Sequence, residues 1–147
     1  AVPDSWNQSR LNMLQGDKAL EVIVRVFDNG VAIRYSIPSQ KGLQILNIIS
    51  EDTEFKFADD YRAWTGNPSV CAENTYPERM ISNTPNQSVL PALIETPNAY
   101  VCIAESDLTD WAGMFLRAGP MNALTVDLAG RKDGKGGLGR RSLRVTP

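Results

Sequence analysis

The chain has 147 residues, 42% of them apolar and 22% charged, with a net charge of −2 and no histidine. That size fits one domain with a buried core, the near-neutral charge sets up no field to gather nucleic acid or anionic membrane, and no apolar run approaches the ~18 to 20 residues that span a bilayer. The missing histidine excludes Ser-His-Asp and Cys-His nucleophilic machinery within the chain, together with imidazole-rich zinc and iron sites.

Residues 1–18 read as a polar lead-in broken by Pro3, Asn7, Asn12 and Gly16, with one short helical turn around Ser9 to Leu14. The first five residues show no charged-then-apolar pattern, so an export signal is expected to have been removed or to lie upstream. Leu20 to Phe27 is β-branched and alternates, with Val22, Val24 and Val26 on one face, which predicts a strand. Asp28-Asn29-Gly30 predicts a hairpin turn, because Asn and Gly tolerate positive φ. Val31 to Ile37 predicts the return strand, closed by Pro38, which cannot donate to a ladder. Leu43 to Ile49 and Thr53 to Phe57 predict two further strands. Between Ala58 and Asn98, Pro68, Pro77, Pro85, Pro91 and Pro97 punctuate a polar stretch, with a short strand expected around Val89 to Glu95. Long irregular segments on a β-scaffold are more often functional than idle. Tyr100 to Ile103, Met114 to Arg117 and Asn122 to Leu128 predict the remaining strands, and Ala129 to Arg141 reads as a Gly-rich, basic surface loop. Short strands with frequent turns and no amphipathic helix predict an all-β fold, an antiparallel β-sandwich spanning residues 1–147.

The densest chemistry lies where an apolar run ends in Glu105, Asp107 and Asp110, ahead of the corner Trp111-Ala112-Gly113. Closely spaced carboxylates on a flexible segment suit Ca²⁺, a hard cation that takes oxygen ligands, although the spacing by itself points more to a solvated acidic turn. Glu105 stands apart from the other two. It follows Val101 and Ile103 on one face, so a continuing strand would turn its carboxylate inward, where an acid needs a partner or a metal. Trp64, Tyr76 and Trp111, in irregular or corner positions, are candidates to stack on sugar rings or simply to pack. Cys71 and Cys102 form one disulfide in an oxidising compartment or remain two buried thiols. The paired acids Glu51-Asp52 and Asp59-Asp60 carry no assignable acid–base role, because nothing in the sequence sets them across a cleft.

The order of the pieces adds to this. Glu21 to Tyr35 with its Asp28-Asn29-Gly30-Val31-Ala32 turn, then Thr53-Glu54-Phe55, Trp64, Ile103 to Leu108, Asp110-Trp111 and Met114-Phe115-Leu116 together resemble glycoside hydrolase family 97. The match falls in that family's N-terminal domain and covers roughly residues 20 to 128. The resemblance implies a galactose-mutarotase-like supersandwich, of which this chain is expected to be an incomplete segment. It also implies an exo-acting α-glucosidase or α-galactosidase, found largely in Bacteroidetes and working in the periplasm or outside the cell. The substrate would be an oligosaccharide or small glycoside. The family's catalytic residues lie in a (β/α)₈ barrel that follows the sandwich, and no strand–helix alternation for one occurs here. This chain is therefore expected to hold no catalytic residue and to have the C-terminal barrel as its partner. The sandwich of that family lends one Glu to an active-site Ca²⁺ from a His-Glu-Ala-like stretch. Ala104-Glu105-Ser106 falls there, with Glu105 matching as metal ligand and Ala104 replacing the usual His. Asp107 and Asp110 are then expected to be structural, with Trp64 and Trp111 as substrate contacts. The rival expectations are a free-standing carbohydrate-binding module and a structural β-domain without a ligand.

Overall fold

The structure is a computed structural model that describes residues 5–42, 45–48, 50–69, 73, 75–106, 111–128 and 141–144. Among them every regular element is a strand, apart from one 3₁₀ turn at Ile81–Asn83, so the all-β expectation holds. The chain divides into two compact units, residues 1–46 with 144–147, and residues 47–143.

The first unit is a meander of β1 (Asn7–Gln15), β2 (Lys18–Phe27) and β3 (Gly30–Ser36), all antiparallel. Its register puts Leu11, Val22 and Tyr35 in one cross-strand row and Val24 with Ile33 in the next, giving one apolar face. The opposite face is polar. There Arg10 pairs with Glu21 at 3.3 Å, and Arg25 donates to Gln8 and lies 4.4 Å over the Trp6 ring. The Gln40 side chain donates to the Ala19 carbonyl and accepts from the Ala19 amide, satisfying backbone groups near the start of β2.

Two expectations change in this unit. Residues 7–15 form a strand, not a lead-in with a helical turn. Ser9, Leu11 and Met13 alternate with Arg10 and Asn12, and Gly16 at φ +62° supplies the first central position of a two-residue turn that folds β1 back on β2. The β2–β3 hairpin forms as expected, but neither Asp28 nor Asn29 takes positive φ. Gly30 instead closes the turn at its fourth position, where type I turns favour glycine.

The second unit holds two sheets, with strand orders β7-β6-β8-β9 and β10-β11-β5. The first comprises β6 (Arg62–Trp64), β7 (Glu78–Met80), β8 (Ala92–Glu95) and β9 (Tyr100–Ile103). The second comprises β5 (Glu54–Lys56), β10 (Met114–Ala118) and β11 (Ala123–Leu128). Period-2 alternation sends Ala63, Ala92, Ile94 and Ile103 from one sheet, and Leu116, Leu124, Val126 and Leu128 from the other, into one core. That is the packing of a sandwich. Ile94, Leu116 and Leu124 are fully buried, and each contributes about 1.5–3 kcal/mol by leaving water. A further pair, β4 (Ile45–Ile48) with β12 (Arg141–Arg144), makes a two-stranded sheet.

The proline-punctuated stretch is tied down at a few points. Ser88 exchanges backbone hydrogen bonds with Leu116 at 2.8 and 2.9 Å, and its hydroxyl donates to the Gly66 carbonyl. Asp60 accepts from the Ser82 amide and hydroxyl at 2.9 and 2.6 Å, fastening the 3₁₀ turn, so Asp60 works structurally. Of the basic loop expected over 129–141, residues 129–140 lie outside the described residues, as does Cys71, while Arg141 belongs to β12 rather than to a loop. Cys102 is a free, exposed thiol on β9.

Candidate functional site

β9 stops at Ile103, opposite Ala92 at the start of β8, and Glu105, two residues on, serves another strand. Both of its carboxylate oxygens accept from the Met114 amide, at 3.0 and 2.9 Å, at the first residue of β10. The acid therefore caps the strand that follows the Trp111 corner. Glu105 is half-buried, and burial pushes its carboxyl above the ordinary glutamate range. The Met114 amide pulls it partly back, and the negative charge of Glu51 adds to the rise.

Glu51 is the residue that the sequence left without a role. Its Oε2 accepts from the Trp111 indole N–H at 2.8 Å, and its Oε1 accepts from the Thr53 hydroxyl at 2.8 Å. The Trp111 contact spans 60 positions in sequence, and no local pattern could have announced it. The result is two half-buried carboxylates on neighbouring segments, one fixed by a backbone amide and the other by an indole and a hydroxyl. Trp111 is half-buried at the same corner. Asp107 and Asp110 lie outside the described residues.

A half-buried carboxylate whose proton affinity is raised by burial and by a neighbouring negative charge suits a hard divalent cation, which would relieve both effects. Each bonded carboxylate oxygen keeps a further lone pair for a metal. Glu105 and Glu51 thus fit Ca²⁺ chemically but fall short of the six to eight oxygens it takes. Among the described residues no cluster of three or more Asp, Glu, His or Cys forms. The remaining ligands of any such ion would have to come from outside this set.

The other expected site residues separate. Trp64 sits on β6 in the four-stranded sheet, its ring 6.3 Å from that of Tyr100 and tilted by 47°. Tyr76 is half-buried, and its hydroxyl donates to the Leu90 carbonyl at 2.8 Å, which makes it a packing residue.

A family model described as Glycosyl-hydrolase 97 N-terminal matches residues 1–144. The chain belongs to that family. The family-97 N-terminal chain is also 34% identical, over 95 residues, to a probable retaining alpha-galactosidase of Streptomyces bingchenggensis. That similarity covers 64% of the chain and spans 14% of the relative's length. The chain is thus a glycoside hydrolase domain of all-β architecture. No helix among its described residues is long and apolar enough to cross a membrane.

Proposed function

We propose that this domain serves a calcium-dependent family-97 enzyme that hydrolyses terminal α-linked glucose or galactose, and that it lends Glu105 to the active-site Ca²⁺. It would pack on a catalytic barrel that supplies the remaining ligands and the catalytic carboxylates, in the periplasm or outside the cell. The observation that carries this reading is the state of Glu105: half-buried, its proton affinity raised by burial and by the charge of Glu51, and clamped by the Met114 amide. Such a group is held in place at a cost that a metal would remove.

When bound, Ca²⁺ would polarise sugar hydroxyls and stabilise charge on the reacting group. The chain's own part is to hold Glu105 at a fixed height at the start of β10. Glu51 anchors the Trp111 indole, which would then stack on a sugar at that rim. Because one ligand would come from this domain, metal binding and docking of the two domains are linked. The similarity to a probable retaining alpha-galactosidase supports the galactose alternative.

The test is Glu105→Gln in an enzyme that carries both sandwich and barrel. Activity on α-glucosides and α-galactosides should fall, and it should fall together with the response to added calcium. Full activity with an unchanged calcium response would remove Glu105 from the site.

A further inference from the structure

Another surface in the second unit is built differently. Alternation in the four-stranded sheet buries Ala63, Ala92, Ile94 and Ile103, each at most 5% exposed, and turns their neighbours outward. The register then sets two rows across β6, β8 and β9. Trp64, Leu93 and Cys102 form one, and Arg62, Glu95 and Tyr100 form the other.

The first row is apolar and the second is polar and already tied together. Arg62 Nη2 meets Glu95 Oε2 at 2.9 Å, and the Tyr100 hydroxyl donates to Glu95 Oε1 at 3.3 Å. The Tyr100 ring leans across to Trp64, joining the rows, and is 63% exposed, with Leu93 at 37%. An exposed tyrosine ring on the edge strand β9, leaning on a half-buried indole of β6, is an apolar step on the sheet face that a ligand could cover.

We propose that this face is a carbohydrate-contact surface separate from the Glu105 corner, taking one hexopyranose unit of an oligosaccharide. A pyranose is amphipathic in the same pattern, with C–H groups on its faces and hydroxyls around its edge. The Trp64 and Tyr100 rings offer the apolar platform. Arg62 and Glu95 offer donors and acceptors held by their mutual ion pair, so little side-chain entropy remains to be lost when a hydroxyl binds. Rigid aromatics beside pre-set planar polar groups suit a sugar better than they suit a second protein, whose interface would call for a wider desolvated centre. Membership of a glycoside hydrolase family makes a carbohydrate the ligand class to expect on such a surface. It would hold the chain of sugars while their ends are processed elsewhere.

The experiment is calorimetric titration of the 147-residue chain with α-linked gluco- and galacto-oligosaccharides in buffer containing EDTA. Chelation silences any calcium site, so this surface and the Glu105 reading can fail independently. Saturable binding is expected, weakened on the order of tenfold in Tyr100→Ala and in Trp64→Leu. Tyr100 is the more exposed ring, so Tyr100→Ala is the decisive variant if Trp64→Leu loses its fold, as far-ultraviolet circular dichroism would reveal. No saturation at millimolar sugar would overturn the proposal. So would a folded Tyr100→Ala chain that binds like the parent. Self-association in sedimentation that Tyr100→Ala abolishes, without sugar binding, would reassign the face to a protein contact.

Discussion

Removing the charge of Glu105 while keeping its shape isolates what the Met114 clamp and the Glu51 neighbour do. Burial and Glu51 raise the Glu105 proton affinity in the folded chain, so the folded state binds a proton more readily than the unfolded state does. Stability that depends on this proton is complete below the unfolded value of 4.5 and is lost as pH climbs through the raised folded value. In calcium-free buffer the parent chain should therefore lose stability as pH rises out of that window. Glu105→Gln should flatten that loss, since glutamine stays neutral and its carbonyl can still accept from the Met114 amide. A tenfold change in proton affinity corresponds to about 1.4 kcal/mol, and solvent screening of a half-exposed group brings the expected gain at neutral pH to under about 1 kcal/mol. Glu105→Ala separates the clamp from the charge. It leaves the half-buried Met114 amide without its acceptor, at a cost of about 1 kcal/mol or more at acidic pH. Urea denaturation of the three chains across the acid-to-neutral range measures both effects. Glutamine destabilising the chain at neutral pH, or leaving the pH profile unchanged, would refute the account of a carboxylate held under electrostatic load.

Four further outcomes follow from the packing. In Gly66→Ala the new methyl would meet Val89 Cγ2, with the Val89 carbonyl at 3.0 Å behind it, and overpacking of this kind costs about 1–3 kcal/mol in thermal or chemical denaturation. Leu116→Ala empties a fully buried position between the sheets and should cost about 2–5 kcal/mol. Asp60→Ala removes both acceptors of Ser82 and should lower stability by about 1 kcal/mol, with local amide exchange rising over Ile81 to Asn83. Iodoacetamide should modify Cys102 in the native chain, read by mass spectrometry, with little change in melting temperature.

What the sequence made legible tracks how local each determinant is. The β2–β3 hairpin was readable because alternation and turn lie within a few residues of each other, although Gly30 rather than a positive φ at Asn29 closes the turn. β1 was not, because its apolar positions are few and its pairing comes from β2, through a turn made by Gly16. β6 and β7 hid among prolines, since strands of three residues carry too little periodicity to register. The expected inward turn of Glu105 matches a half-buried carboxylate even though β9 ends early, because the Met114 amide replaces the ladder as its anchor. Glu51 could not be found in this way, since its value depends on Trp111 at the far end of a long connection. Tyr100 was legible only as a strand residue, and its role on the sheet face needed the register that sets Glu95 opposite it.

The central claim is that Glu105 is one ligand of a shared calcium site, and calcium affinity tests it most directly. Calorimetric titration of calcium into an enzyme carrying sandwich and barrel should show one tight site. Glu105→Gln should weaken that site by about tenfold or more, as loss of a coordinating or supporting group does in metal sites. An unchanged calcium affinity in a folded Glu105→Gln enzyme would contradict the account.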